Sequence, residues 1–90
     1  MPVVWRARAL SDVARIARYI ATDNPVAAAR VARELLLAGD SLMPFPRRGR
    51  PGRQSGTREL IAVGPYIIVY RVAGNEQVTI VRVWHGAQDR

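Results

Sequence analysis

The last third of the chain decides the fold, because three short runs of strand-forming residues follow one another there. They are Gly56–Leu60 (GTREL), Tyr66–Val72 (YIIVYRV) and Val78–Gly86 (VTIVRVWHG). β-Branched and aromatic residues at this density favour strands. Each run also contains an arginine, and a buried sheet holds an arginine only where the guanidinium is paired or faces water. Arg58, Arg71 and Arg82 therefore predict a polar working face on this sheet.

Turn signals divide this region into three strands near residues 57–63, 66–72 and 77–84. Gly64-Pro65 and Ala73–Glu76 are connections of hairpin length, which predicts an antiparallel meander. Alternation assigns the last strand's side chains to two faces, Val78, Ile80, Arg82 and Trp84 on one and Thr79, Val81, Val83 and His85 on the other. Because both faces are largely apolar, we expect one of them to form a shallow groove or to be covered by an obligate partner.

The first half of the chain predicts a short edge strand followed by two helices. Val3–Trp5 is the strand, and apolar residues at three- and four-residue spacing then indicate an amphipathic helix over roughly 9–22. Asp12 lies off its apolar stripe, and Arg8 and Asp12 are spaced for an i,i+4 ion pair. Asn24-Pro25 combines a favoured N-cap with proline at the first helical position, so a second helix begins there and runs to about Leu42. Gly39 within it indicates either fraying or a close packing contact.

Residues 44–55 are predicted to be a loop, because three prolines and two glycines there prevent regular structure. The arginines among them form either an anion-seeking arm or a solvated surface. The predicted order is β-α-α-β-β-β. This is an α+β fold, a small antiparallel sheet with a helical hairpin packed on one face. A chain of 90 residues forms one domain, residues 1–90.

Charge is the unusual feature of the composition. The chain has 14 basic residues against 7 acidic ones, a formal net charge of +7, and every basic residue is an arginine. A small domain this basic is expected to bind nucleic acid or an acidic protein segment, with a generic solvated surface as the alternative. No apolar run reaches the roughly 18 residues of a membrane span. Without a signal sequence or any cysteine, the chain is expected to be a soluble cytoplasmic protein.

Motifs for catalysis are sparse. His85 is the only histidine, and it is a candidate general acid or base or else a hydrogen-bonded structural residue. One histidine without cysteine predicts no metal site, and the lack of phosphate-binding glycine motifs predicts no cofactor. Tyr66 and Tyr70 share one face of their strand, where they serve either core packing or contact with a partner.

Several segments together resemble the RelE/ParE toxins of bacterial toxin–antitoxin systems, and the ParE branch most closely. They are Ala9–Val13 with Ile16 and Tyr19–Ala21, Asn24-Pro25 with Ala27–Arg30, Pro46 with Arg48–Gly52, Gly56–Leu60, Tyr66–Val72 and Val81–Ala87. Each segment is modest alone, but their order and spacing cover almost the whole chain. The resemblance implies a RelE/ParE-like fold, in agreement with the order of elements predicted above.

The resemblance also implies a partner, an acidic, DNA-binding, ParD-like antitoxin that neutralises the toxin in a hetero-oligomer. It implies antitoxin contacts on the helices and the basic loop, through Val13, Ile16, Ile20, Val31, Leu35, Arg47, Arg48, Arg50 and Arg53.

Two targets follow from the resemblance. ParE-like toxins poison DNA gyrase, and the residues implied in target binding are Arg58, Tyr70, Arg71, Arg82, Trp84 and His85. RelE-like toxins cut messenger RNA on the ribosome, and here such a site would combine Arg58, Arg71, Arg82 and His85 with Glu59 as base. The absence of lysine and of a C-terminal tyrosine favours gyrase. A non-toxic homologue and a nucleic-acid-binding module that uses the Arg47–Arg53 loop are further alternatives.

Overall fold

The computed structural model describes residues 3–86, which form two helices and five strands. In chain order these are β1 (Val4–Trp5), α1 (Ala7–Ala21), α2 (Pro25–Asp40), β2 (Arg50–Pro51), β3 (Arg58–Val63), β4 (Tyr66–Val72) and β5 (Val78–His85). The sheet order is β1-β5-β4-β3-β2, with β1 parallel to β5 and the other pairs antiparallel. Ala87, which ends the last of the family-like segments, lies outside the described residues.

The predicted α+β fold is confirmed, with two corrections to the sheet. The last three strands form the expected antiparallel meander, and β1 is an edge strand as predicted. The sheet is nevertheless mixed, because β1 runs parallel to β5 before the chain enters the helices. The segment predicted as a loop also contains β2, whose Arg50 and Pro51 pair with Glu59 and Arg58. Proline is tolerated there because β2 is an edge strand.

Local sequence accounts for the helical hairpin. The predicted N-cap is confirmed, since Asn24 Oδ1 accepts a hydrogen bond from the Ala27 amide at 3.0 Å. Gly39 marks a close packing contact, because a Cβ at this position would overlap the Trp5 ring. Trp5 Nε1 also donates to Asp40 Oδ1 at 3.0 Å, so β1 is tied to the end of α2. Neither helix of the described residues is long and apolar enough to cross a membrane.

Both helices pack on the same face of the sheet, α1 mainly against β5 and α2 against β3. The core between helices and sheet comprises Ala9, Val13, Leu35, Leu42, Leu60, Val63, Ile68, Tyr70, Val78, Ile80 and Val83. Val13 and Leu35 are therefore packing residues, buried within this core.

A bulge in β5 corrects the predicted alternation of faces. The register pairs Tyr70 with Ile80 but Val69 with Arg82, so Val81 is an extra residue. Ile80 and Val83 consequently both lie in the core, although simple alternation places them on opposite faces. The bulge moves Arg82 to the face of the sheet opposite that of Ile80.

Candidate functional site

The face of the sheet turned away from the helices carries a groove, called here the open-face groove. The register places Glu59, Val69 and Arg82 side by side on neighbouring strands. Side chains from the start of α1 and from the turn after β2 complete its walls. The groove is lined by Arg6, Arg8, Arg53, Gln54, Thr57, Glu59, Val69, Val81, Arg82 and Trp84. With four arginines and one carboxylate among these residues, the groove has a strongly positive lining.

Asp12 of α1 is buried against Arg82, a residue of this groove, although the helical pattern placed it off the apolar stripe. It is only 1% exposed. Its Oδ2 accepts hydrogen bonds from Arg82 Nε at 2.8 Å and from the Val83 amide at 2.9 Å. Its Oδ1 accepts from Arg82 Nη2 at 3.2 Å and from Arg15 Nη2 at 2.6 Å. The carboxylate is therefore saturated by donors from two elements.

The position of Asp12 follows from the short length of β1. This strand covers the outer edge of β5 only opposite Thr79 and Ile80, and the Arg6 amide donates to the Ile80 carbonyl at 3.0 Å. Beyond that point the edge of β5 faces α1. The Val83 amide would be an unsatisfied buried donor there, and the Asp12 carboxylate takes the place of the missing strand.

Electrostatics at Asp12 favour the ionised carboxylate. Burial alone would raise the pKa of Asp12, but hydrogen bonds from Arg82, the Val83 amide and Arg15 outweigh it and hold the pKa below its usual value. The same hydrogen bond to Asp12 raises the pKa of the Arg82 guanidinium. Arg82 therefore stays charged while it is held against the carboxylate.

Arg82 also stacks on Trp84, with its guanidinium carbon 4.1 Å from the ring centroid. Such a cation–π contact is favourable, and it places the guanidinium over an aromatic surface. The Arg82 side chain is 18% exposed, so only a small part of it is open to the groove. Arg82 and Trp84, both predicted to bind the target, thus form one pre-assembled unit.

The three strand arginines do not form one working face, which corrects the expectation from sequence. Arg58 pairs in register with the core residue Tyr70 and so projects on the helix side of the sheet. Its Nη1 donates to the Gly49 carbonyl at 2.7 Å, which anchors the preceding loop. Arg71 is on the open face, but its Nη1 donates to the Ser55 carbonyl at 3.3 Å. Only Arg82 lines the open-face groove.

Glu59 is engaged with β2 and with the segment that follows it. It is 5% exposed, and its Oε1 accepts from Arg50 Nη2 at 3.1 Å and from Arg50 Nε at 3.3 Å. Its Oε2 accepts from the Arg53 amide at 3.4 Å. A carboxylate bound in this way holds β2 and the chain after it against β3, which is a structural role.

Tyr70 and His85, both predicted to bind the target, lie outside the open-face groove. Tyr70 is fully buried and its hydroxyl accepts a hydrogen bond from the Gly49 amide at 2.8 Å, so its assignment to target binding is wrong. His85 pairs in register with Tyr66, and the two rings meet edge to face at 5.4 Å. His85 lines a separate pocket with Arg15 and Tyr19 on the helix side.

The predicted antitoxin contacts divide by burial. Val13 and Leu35 are core residues with no surface to offer, so their assignment is wrong. Ile16, Ile20 and Val31 are half-buried on the helices. The largest exposed apolar side chains of the helices and the following turn are different ones, Leu10, Tyr19, Val26, Leu37, Met43 and Phe45.

The basic loop is more ordered than an anion-seeking arm. Arg47 forms an ion pair with Glu76, and Arg48 Nη2 donates to Ser41 Oγ at 2.7 Å. Arg50 is held by Glu59, whereas Arg53 lies in the wall of the open-face groove. Three of the four predicted loop arginines thus have partners within the fold.

Sequence reasoning missed Asp12, Arg6 and Arg8 as site residues. The only signal for Asp12 was its spacing from basic residues along α1, and the close partner is Arg15 at i+3, not Arg8 at i−4. The partner that matters most, Arg82, is 70 residues away in the chain. Among residues 3–86, no group of three or more metal-ligating side chains is assembled.

Residues 3–90 match the model of a family described as the ParE toxin of the type II toxin–antitoxin system parDE. Toxin RelE2 of Caulobacter vibrioides is 46% identical over 86 residues, which is 96% of each chain. The putative toxin Y4kP of Sinorhizobium fredii is 45% identical over 85 residues, 93% of this chain and 86% of the relative.

Two solved structures share the fold. A chain from the chromosomal ParDE toxin–antitoxin system of P. aeruginosa superposes with a TM-score of 0.80 at 23% identity, covering 94% of this chain and 95% of that one. A chain of the toxin–antitoxin complex RelBE2 of Mycobacterium tuberculosis gives a TM-score of 0.60 at 27% identity, covering 94% of this chain and 99% of that one.

Proposed function

The chain belongs to the ParE toxin family of type II toxin–antitoxin systems, and on that premise we propose that it inhibits DNA gyrase and thereby blocks replication. In this proposal it acts by binding, through the open-face groove, and not by cutting RNA. The groove offers a positively charged rim around an apolar floor, a surface suited to a partner that is both charged and partly apolar.

The observation that carries this choice is the dispersion of the residues that an RNase would need. Arg58 and His85 project on the helix side of the sheet, whereas Glu59, Arg71 and Arg82 project on the open face. General acid–base catalysis and phosphate stabilisation require the groups to converge within hydrogen-bonding distance of one reacting centre. Two groups separated by the sheet from the other three do not meet this requirement.

The second half of the proposal is neutralisation by an antitoxin. The two solved structures with this fold come from systems that pair a toxin with an antitoxin. Exposed apolar side chains on the helices and the turn after them, including Tyr19, Val26, Leu37 and Phe45, provide a surface that a partner would cover. We propose an acidic, DNA-binding, ParD-like antitoxin, a hetero-oligomeric complex and a cytoplasmic location.

Pulse-labelling after induction of the chain without an antitoxin tests the target. If gyrase is the target, DNA synthesis falls before protein synthesis, and the purified chain inhibits supercoiling by purified gyrase. An earlier fall in protein synthesis, with cleavage of ribosome-bound messenger RNA, would instead favour the RelE-type activity suggested by the name of the relative Toxin RelE2.

The variant Arg82→Ala separates the two mechanisms further, with Arg33→Ala, an exposed arginine on α2, as its control. A binding surface that loses one contact weakens by a graded amount that higher toxin concentration overcomes. An RNase that loses a charge-stabilising group falls by about 100-fold or more in rate at any concentration.

A further inference from the structure

We infer that Asp12 is a positioning residue for the open-face groove. It sets the orientation of the Arg82 guanidinium, and with it the Arg82–Trp84 pair that the groove presents to its target. The inference rests on the proposed function only for the identity of that target. It rests on geometry for the positioning itself.

The Asp12 carboxylate holds the Arg82 guanidinium by two hydrogen bonds. Nε and Nη2 of Arg82 both donate to Asp12, one to each carboxylate oxygen, at 2.8 and 3.2 Å. This two-point contact fixes the plane of the guanidinium as well as its position, which a single hydrogen bond would not. The carboxylate itself is fixed, since its Oδ2 also accepts from the Val83 backbone amide at 2.9 Å.

Part of the Arg82 guanidinium is already in contact with other residues of the fold. Its Nε and Nη2 edge is occupied by Asp12, and its central carbon lies over the Trp84 ring, 4.1 Å from the ring centroid. No residue of the described part of the chain accepts a hydrogen bond from Nη1. That nitrogen is thus the part of the guanidinium left for a ligand of the groove, which Arg82 and Trp84 line together.

The restraint on the Arg82 side chain lowers the entropic cost of binding the target. A free arginine side chain has many rotamers, and ordering them on binding lowers affinity. A side chain ordered before binding avoids this loss, so Asp12 contributes to affinity without touching the target. The bulge at Val81 makes the restraint possible, because it turns Arg82 to the open face while the Val83 amide keeps its bond to Asp12.

The test uses the full chain carrying 5-fluorotryptophan. The chain has two tryptophans, and the Trp84 resonance is assigned with Trp84→Phe. In Asp12→Asn the amide oxygen still accepts one hydrogen bond, but the charged two-point contact is lost. We expect the Trp84 signal to move toward its position in Arg82→Ala, and the concentration for half-inhibition of gyrase to rise about 10-fold, the order expected when a preorganised contact is lost.

Arg15→Gln is the matched control, because it removes another donor to the same carboxylate and leaves Arg82 in place. It should leave the Trp84 signal and the inhibition unchanged. In the Arg82→Ala background, Asp12→Asn should cause no further loss of inhibition, because the residue that Asp12 positions is already absent.

Three outcomes overturn the inference. The first is an unchanged Trp84 signal in folded Asp12→Asn. The second is an equal loss of inhibition with Arg15→Gln, and the third is an additional loss from Asp12→Asn in the Arg82→Ala background. If Asp12→Asn fails to fold, Asp12→Glu, which keeps the charge but displaces the carboxylate by one methylene group, gives the same comparison. A chain that never inhibits gyrase refutes the proposed function, yet the Trp84 signal still decides the positioning role.

Discussion

Two ion pairs of this protein join distant parts of the chain, yet they stand in opposite environments. Asp12 and Arg82 meet between α1 and β5 with side chains only 2% and 18% exposed. Arg47 and Glu76 meet between the basic loop and the turn before β5 with side chains 51% and 56% exposed. In the first pair the carboxylate has been taken out of water and depends on its donors, whereas in the second both charges remain solvated. Although both contacts are arginine–carboxylate ion pairs, we therefore expect their loss to change the free energy of unfolding by very different amounts.

The largest effect is expected from removing the buried carboxylate. Asp12→Ala leaves the Val83 amide without an acceptor and Arg82 without its counter-charge. The expected loss is about 3–5 kcal/mol in the free energy of unfolding, the usual cost of breaking a buried pair. Urea denaturation at neutral pH measures it, with Asp23→Ala in the exposed α1–α2 turn as the control. A loss no greater than that of the control would show that burial does not set the strength of this pair.

Acidification should produce a smaller loss through the same residue. The pKa of Asp12 is lowered in the folded chain, so its stabilising effect is complete above the ordinary aspartate pKa of about 3.9 and disappears as the pH falls through the folded value. The charged groups that face it are Arg15 and Arg82. The difference in unfolding free energy between the parent chain and Asp12→Asn should shrink below about pH 4. A constant difference down to pH 2 would contradict the lowered pKa.

The smallest effect is expected at the exposed pair. Glu76→Gln should cost about 0.2–1 kcal/mol in the free energy of unfolding, because solvent screens both charges. The difference should vanish in 1 M salt, where the screening length is about 3 Å. Denaturation curves of both chains at low and high salt provide the measurement. A loss as large as that of Asp12→Ala, or one insensitive to salt, would remove the contrast between the two pairs.

The elements of this fold were predictable because their signals are local. The N-cap Asn24, the apolar stripes of the helices and the strand-forming runs each depend on neighbouring residues, and all appear in the structure close to their predicted bounds. The brief β2 was not predictable. It exists only because β3 offers a strand edge to Arg50 and Pro51, and that edge is formed by residues further along the chain.

The candidate site was predictable only in part. Arg82 and Trp84 were identified as target-binding candidates, and the structure brings them together on one surface. Arg58 and His85 fell on the helix side and Tyr70 in the core, because the sequence does not show which face of a strand is covered. The sequence alone therefore did not separate the candidates on the open face from those on the helix side of the sheet.

The sequence by itself determined the order of every element except β2, the family, the positive charge and the identity of the residues at the end of β5. The tertiary structure alone decided that Asp12 is buried, that Val81 bulges and that Arg82 faces the groove. The physical reason is the range of the interactions. Helix caps and periodicity act over a few residues, whereas the Asp12–Arg82 contact spans 70 positions and exists only once α1 packs along the edge of β5.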